Sequence, residues 1–178
     1  MFRPKVLLLC AATAVSTLFA GCNTVSDMVT SNIPDNHHGR VRIVVRVREQ
    51  EAVLYKGKSE VAESRISTGR EGHHTPVGHF SVQAKDADHR SSLYGNYVDN
   101  YGRVVVANVD VRKRSKPSGT HFVGASMPYF LQILPGYGLH AGYLPGYPAS
   151  HGCVRMPYWK ARQFFNAAHV GTPVTIVD

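Results

Sequence analysis

The sequence predicts a mainly β domain with one helix near its carboxyl end. Apolar and charged residues alternate over residues 41–47, which is typical of a strand with one buried and one exposed face. Several later runs are rich in β-branched and aromatic residues, whereas only the segment after residue 157 repeats apolar residues at helical spacing. With 178 residues and 43% hydrophobic composition, the chain can form one domain with a core but not two large ones.

The predicted strands are separated by short breaks, several of which contain Gly or Pro. Lys56-Gly57-Lys58 has the composition of a hairpin turn between two of these strands. We predict strands at 41–47, 52–55, 61–67, 78–83, 103–111, 129–134 and 174–177.

The helix is predicted to begin at Pro157, because proline is favoured in the first turn, where its missing N–H costs nothing. Gly171 and Pro173 are stop signals beyond its end. Trp159, the only tryptophan, is expected to pack the helix against the sheet. The apolar residues at helical spacing, which we expect in the core, are Ala161, Phe164, Phe165 and Ala168.

Residues 1–21 have the features of an export signal. Arg3 and Lys5 precede an apolar run that is too short to cross a bilayer comfortably as a helix. Phe19-Ala20-Gly21 then supplies a cleavage site of small residues. The sequence therefore predicts a protein that leaves the cytoplasm.

Cys22 follows this cleavage site directly, so the segment resembles a bacterial lipobox, in which the cysteine is lipidated and becomes the first residue. Residues 22–40 are then interpreted as the lipidated cysteine and a flexible tether, and residues 41–178 as the folded domain. We expect a lipid-anchored protein at a cell-envelope membrane, facing the periplasm. Release as a soluble periplasmic protein is the alternative.

The chain carries a net charge of +8, of which two charges belong to the signal. Outside the cytoplasm a basic surface meets anionic lipid or cell-wall polymer, so no nucleic-acid partner is expected. The basic run Arg112-Lys113-Arg114-Ser115-Lys116 is interpreted either as a solvated loop between strands or as a contact for envelope phosphate or carboxylate groups.

The three cysteines have different expected fates. Cys10 leaves with the signal and Cys22 carries lipid, so Cys153 is the remaining thiol and an internal disulfide is excluded. A lone thiol in an oxidising compartment is exposed to unwanted oxidation, so its presence calls for a reason. A buried, inert cysteine is the alternative to a functional one.

Cys153 lies near two histidines, His140 and His151. A cysteine nucleophile reacts as a thiolate, which a neighbouring imidazole supplies as a base or as an imidazolium partner. Gly152 lets the backbone approach a bound carbonyl, whose oxyanion consecutive N–H groups can stabilise. The spacing alone does not choose between the two histidines as the base. Metal binding is the alternative, but without a second thiol or zinc-finger spacing we predict no metal site.

These residues resemble the L,D-transpeptidase catalytic domain of bacterial cell-wall enzymes. In that family an upstream His is followed by Ser or Thr, then His-Gly-Cys, a hydrophobic residue and Asn or Arg; here the pattern is His140 and Ser150-His151-Gly152-Cys153-Val154-Arg155. The resemblance extends from about Val41 to Val177. Other matching motifs are Ser67-Thr68-Gly69, Thr75-Pro76-Val77-Gly78 with Phe80, Ser92-Leu93-Tyr94-Gly95, Met127-Pro128-Tyr129-Phe130 and Gly171-Thr172-Pro173-Val174.

The sequence departs from the common family pattern in two places. Only nine residues separate His140 from Ser150, fewer than in many members, so the flap over the cleft is expected to be small. Arg155 occupies a position where Asn is frequent, although Arg also occurs there.

The resemblance implies a mixed β-sandwich with one helix after the cysteine. It also implies that Cys153 is the nucleophile and His140 the general base and acid. The backbone carbonyl of Ala141 would orient the imidazole, and the following loop would form the oxyanion hole. The residues implied to shape or support that loop are Ser150, His151 and Gly152.

The candidate substrate-binding residues are less specific. Arg155 would pair with a substrate carboxylate or anchor to the backbone of the domain. The aromatic loop with Tyr143 and Tyr147 would stiffen the structure or contact a glycan or stem peptide. Tyr94, in one of the matching motifs, is the fourth candidate.

The implied reaction is acyl transfer on peptidoglycan, without a metal or organic cofactor. The thiolate attacks the carbonyl of the third stem-peptide residue, releases D-alanine and passes the acyl group to an amine. An amine of a second stem gives a 3,3 crosslink, a lysine of an acceptor lipoprotein gives anchoring, and water gives L,D-carboxypeptidase action. A non-catalytic wall-binding lipoprotein and a general cysteine protease are two further hypotheses that the residues leave open. The family resemblance also implies a carbapenem target.

Overall fold

The computed structural model describes residues 39–178. The expected signal peptide, Cys22 and the tether up to residue 38 lie outside the described residues. Within 39–178 the chain forms twelve strands and one α-helix. They are β1 (Val41–Arg46), β2 (Glu51–Lys56), β3 (Ser59–Arg65), β4 (Gly78–Ser81), β5 (Ala84–Asp86), β6 (Arg90–Val98), β7 (Val104–Asp110), β8 (His121–Ser126), β9 (Phe130–Leu134), β10 (Tyr137–Ala141), β11 (Val154–Met156), α1 (Tyr158–Ala167) and β12 (Pro173–Val177).

Two mixed sheets form the main body of the domain. The first has five strands in the order β3-β2-β1-β12-β4, and the second has four in the order β11-β10-β9-β5. Most neighbours are antiparallel, but β1 pairs with β12 in parallel and β10 pairs with β11 in parallel. The prediction of a mainly β, mixed sandwich is confirmed.

One hydrophobic core joins the two sheets and the helix. It draws on the inward-facing residues of the central strands; in β1 the buried residues alternate with half-buried ones, as the period of a strand requires. Burial of this apolar surface is the main favourable term in folding. The largest fully buried side chains are Phe164, Ile43, Leu54, Ile66, Leu131, Ile133, Leu139, Met156, Ile176, Val45, Val53 and Val82.

A third sheet has three strands in the order β7-β6-β8. Gly95 and Gly124 allow its strands to approach closely, because a Cβ at Gly95 would lie 2.2 Å from the Val123 carbonyl oxygen. A Cβ at Gly124 would lie 2.0 Å from the Ser91 carbonyl oxygen. The side chains of this sheet form one wall of the cleft described below.

The predicted strands correspond to β1, β2, β3, β4, β7, β9 and β12. The predicted hairpin turn joins β2 and β3, where Gly57 adopts a φ of 62°. The remaining strands, β5, β6, β8, β10 and β11, were not predicted.

The C-terminal helix is confirmed, with Pro157 at its N-cap and Ala161 and Phe164 facing the core. The expectation for Trp159 is wrong: its side chain is 61% exposed, and the Lys160 ammonium lies 4.4 Å from the ring centroid. At about 100° per residue, position 159 points away from the buried stripe. No helix within residues 39–178 is long and apolar enough to span a membrane.

Candidate active site

Parallel pairing of β10 and β11 brings the candidate nucleophile and base to one face of the second sheet. His140 is the register partner of Arg155, and β11 begins one residue after Cys153. Register partners on adjacent strands share a face, so His140 and Arg155 lie on the same side of the sheet, and Cys153 lies in the bend immediately before β11. All three line a single cleft of about 910 Å³.

His140 is held in one orientation by a backbone carbonyl. Its side chain is 5% exposed, and its Nδ1 lies 2.8 Å from the carbonyl oxygen of Ala141. A carbonyl can only accept, so Nδ1 carries the proton and Nε2 keeps a free lone pair. Burial lowers the pKa of His140 to about 4, so the imidazole is neutral at pH 7 and can accept a proton.

The Cys153 thiol is half-buried and is protonated at rest. Burial raises its pKa, although the N–H of Gly138 and the charge of Arg155 act in the opposite direction. The Sγ lies 3.6 Å from the carbonyl oxygen of Gly136, a distance at which the thiol can donate. A thiol in this state needs a base before it can act as a nucleophile, and the neutral imidazole of His140, which lines the same cleft, is a candidate for that base.

The loop before Cys153 is fixed by the fully buried hydroxyl of Ser150. This hydroxyl accepts a hydrogen bond from the Gly152 N–H at 2.9 Å and donates to the Cys153 carbonyl at 2.5 Å. The Gly152 N–H is consequently occupied within the loop. Ser150 and Gly152, both predicted to shape the oxyanion loop, set the turn that presents Cys153.

Thr75 is a further support of this loop, and no role for it was predicted from the sequence. Its hydroxyl donates to the Gly152 carbonyl at 2.8 Å and accepts from the Gly69 N–H at 2.9 Å. The only sequence signal was its place in a matching family motif, because the contact joins residues 77 positions apart.

Gly152 adopts a φ of 116°, a conformation that L side chains rarely adopt, and a Cβ there would lie 2.6 Å from Cε1 of Tyr137. We expect Gly152→Ala to lower the free energy of unfolding by about 2 kcal/mol and to slow alkylation of Cys153. Urea denaturation and timed alkylation measure the two effects. Gly146→Ala is the matched control, since Gly146 has a φ of 96° with nothing within 4 Å. Equal losses in both variants would show that the collision with Tyr137 is unimportant.

His151 contacts two aromatic rings. It stacks on Tyr94 with centroids 4.0 Å apart and meets the edge of His73 at 5.0 Å. Burial, with the charge of Arg70 and the His73 ring, lowers its pKa to about 4. These contacts hold the His151 ring in place at the edge of the cleft.

Tyr94 connects the cleft to the basic loop. Its hydroxyl accepts a hydrogen bond from Nη2 of Arg112 at 2.7 Å. Asp110 holds the same guanidinium through Nε and Nη2, at 2.9 and 2.8 Å, and Arg112 lowers the pKa of this carboxyl to about 2. Arg112 therefore positions Tyr94, which in turn stacks on His151.

The other predicted substrate-binding residues differ in position. Tyr143 and Arg155 line the cleft, and the Tyr143 side chain is 78% exposed. Tyr147 is exposed but is absent from the cleft wall; its carbonyl accepts a hydrogen bond from the buried Ser67 hydroxyl at 2.8 Å. Of these three residues, only Tyr143 and Arg155 are placed to touch a molecule bound beside Cys153.

Within residues 39–178, no group of three or more His, Cys, Asp or Glu side chains is arranged to hold a metal ion. Among the groups that line the candidate site are a thiol and a neutral imidazole. This set of groups suits acyl transfer through a thioester.

A family model described as the L,D-transpeptidase catalytic domain (YkuD) matches residues 40–176. No curated protein sequence matches the chain.

The fold is similar to that of solved L,D-transpeptidases. A Mycobacterium smegmatis enzyme is 17% identical with a TM-score of 0.57, over 78% of this chain and 59% of that one. A mutant of the Enterococcus faecium enzyme is 22% identical with a TM-score of 0.58, over 79% and 50%. One from Stackebrandtia nassauensis is 16% identical with a TM-score of 0.57, over 86% and 63%. The chain thus spans about half to three-fifths of the length of these proteins. On the extent of the family match, the chain belongs to the YkuD family of L,D-transpeptidase catalytic domains.

Proposed function

We propose that this protein is a peptidoglycan L,D-transpeptidase with Cys153 as nucleophile and His140 as general base and acid. The observation that carries the proposal is the neutral imidazole of His140. Its Nδ1 is fixed on the Ala141 carbonyl, it keeps a free nitrogen, and it lines the same cleft as the thiol. Family membership supports the reaction class.

In the proposed first step, Nε2 of His140 takes the thiol proton as Sγ of Cys153 attacks the carbonyl of the third stem residue, a diamino acid. The tetrahedral oxyanion lies beside backbone N–H groups next to the sulfur, among them that of Gly138, which already points toward Sγ. The C–N bond then breaks, His140 returns the proton to the amine of the leaving D-alanine, and a thioester remains.

In the second step, an amine replaces the enzyme at the thioester. His140 accepts a proton from the attacking amine, and the thiolate leaves and is reprotonated. A stem-peptide amine gives a 3,3 crosslink, a lipoprotein lysine gives anchoring, and water gives hydrolysis. The chemistry at the cysteine is the same in each case, so the acceptor decides the product.

Mass spectrometry of purified wall fragments incubated with the full chain tests the proposal. Loss of D-alanine together with a new crosslinked dimer is the expected result. Loss without a dimer would identify an L,D-carboxypeptidase. Binding of wall fragments with neither loss nor thiol acylation would instead identify a wall-binding lipoprotein.

We also propose that Cys22 is lipidated and holds the protein at a cell-envelope membrane, facing the periplasm. Acyl chains bind a membrane by burying methylene groups, without a spanning helix. We expect Cys22→Ser to move the protein from the membrane fraction to the soluble periplasmic fraction of cells. Retention of this variant in the membrane fraction would contradict lipidation as the anchor.

A further inference from the structure

Among residues 39–178, three arginines line the cleft, Arg70, Arg90 and Arg155, and no carboxylate does. None of the three takes part in any ion pair formed within residues 39–178. The nearby acid Asp110 is already engaged by Arg112. The cleft therefore carries positive charge that is not neutralised by the domain, and such a cleft attracts anions.

Arg155 is the arginine nearest in sequence to the nucleophile. Its backbone pairs with Ser67 at 2.9 and 3.0 Å, and its stem packs against Gly142, where a Cβ would lie 3.0 Å from its Cγ. Its guanidinium makes no hydrogen bond within the described residues, in which every fully buried side-chain nitrogen or oxygen has a partner. The guanidinium nitrogens are therefore open to the cleft.

Arg70 is hydrogen-bonded to the loop that precedes Cys153. Its backbone N–H and its Nη1 both donate to the Ser150 carbonyl, at 3.1 and 3.3 Å, which fixes the side chain beside the loop. Its charge lowers the pKa of both His151 and Arg155, so its charge acts on the half-buried guanidinium of Arg155. Two half-buried like charges are mutually unfavourable, and an anion bound to both relieves the repulsion.

We propose that Arg70 and Arg155 form a carboxylate-binding site beside Cys153, which selects donor stem peptides by a free carboxylate close to the acylated carbonyl. The substrate selection rests on the proposed function, whereas the anion site does not. A donor stem peptide carries such a carboxylate in two places. One is the terminal carboxylate of D-alanine, and the other is the second carboxylate of a dicarboxylic residue at the third position. Guanidinium groups bind either one through paired hydrogen bonds.

Arg155 also favours the Cys153 thiolate through its charge, so its loss would slow attack on any substrate. A test of the site must therefore compare an anionic reagent with a neutral one. Iodoacetate and iodoacetamide alkylate the same sulfur by the same displacement of iodide, and they differ in one carboxylate. The ratio of their rate constants cancels the reactivity of the thiolate.

We expect the rate constant for iodoacetate divided by that for iodoacetamide, measured at Cys153 of the full chain by peptide mass spectrometry, to exceed the same ratio for free cysteine about tenfold. Arg155→Gln and Arg70→Gln are each expected to lower it at least threefold. Arg90→Gln is the matched control, since Arg90 lines the cleft but donates to the Gly124 carbonyl at 3.1 Å. A wild-type ratio equal to that of free cysteine would contradict the proposed anion site. A fall in Arg90→Gln as large as that in Arg155→Gln and Arg70→Gln would contradict it as well.

The source of the carboxylate is tested with three donor tetrapeptides: unmodified, with the terminal D-alanine amidated, and with the second carboxyl of a dicarboxylic third residue amidated. We expect kcat/KM for release of the terminal residue to be about tenfold lower for one of the two amidated donors than for the unmodified donor. In Arg155→Gln we expect this difference between the donors to disappear. Equal rates for all three donors would overturn the selection while leaving the proposed function intact. No release from any donor, with the alkylation ratio still raised, would overturn the proposed function while supporting the anion site.

Discussion

Cys153→Ala is expected to lower D-alanine release from a donor tetrapeptide by more than about 1,000-fold, because no other group in the cleft can form the thioester. The same variant should lose the covalent adduct with a carbapenem, whose β-lactam carbonyl the thiolate opens without a leaving group. Intact-mass spectrometry measures the adduct, and chromatography measures the release.

Cys153→Ser is the control for shape, because it keeps a nucleophilic atom that is much harder to deprotonate than a thiol. It should retain the thermal unfolding temperature of the wild type and lose nearly all activity. The full chain also contains Cys10 and Cys22, so peptide mapping must locate any remaining adduct. An adduct or D-alanine release that persists in Cys153→Ala would contradict the assignment of the nucleophile.

His140→Asn is expected to lower kcat by about 100-fold to 10,000-fold, the usual contribution of a general base and acid. Asparagine can still donate to the Ala141 carbonyl but cannot take the thiol proton. His151→Asn is the matched control, because both histidines line the cleft and have a pKa of about 4. We expect His151→Asn to cost less than tenfold. A larger loss in His151→Asn than in His140→Asn would transfer the role of base to His151.

The same substitution should change how stability depends on pH. The pKa of His140 is about 4 in the folded protein and close to its ordinary value of 6.5 when unfolded, so folding favours the neutral ring. The contribution of the buried neutral ring to the free energy of unfolding is fully present above pH 6.5. It is lost as the pH falls toward 4, and the loss amounts to about 3 kcal/mol in all. Urea unfolding at pH 7.5 and 4.5 should show a smaller difference in His140→Asn than in the wild type. If the free energy of unfolding changed equally between the two pH values in both proteins, the burial of His140 would have no effect on the pH dependence of stability.

The strands with regular alternation were predictable, and the irregular ones were not. β1 alternates Ile43 and Val45 with half-buried neighbours, and its register follows from that pattern. β6 (RSSLYGNYV) mixes Ser, Gly and Asn with its apolar residues, and its pairing with β8 shifts register between Arg90 and Gly95. Such a strand is specified by long-range contacts, which a local pattern does not contain.

The residues of the candidate site also fall into two groups, those that the sequence could indicate and those that it could not. Cys153 and His140 were identified from a motif whose spacing reflects the adjacent strands β10 and β11. Thr75 and Arg70 were not identified, because each reaches the Cys153 loop from residues about 80 positions earlier in the chain. Their roles depend on tertiary contacts that leave no local signal in the sequence.

The parallel pairing of β10 and β11 has a consequence for how this enzyme class can diversify. The two strands that carry His140 and Arg155 are held together by main-chain hydrogen bonds between neighbours. In the connection between them, Gly142, Tyr147 and Ala149 hydrogen-bond to the rest of the domain, whereas residues 143–146 have no hydrogen bond within the described part of the chain. We therefore predict that a change of length or composition at residues 143–146 leaves His140 and Cys153 in place and can alter the choice of acceptor.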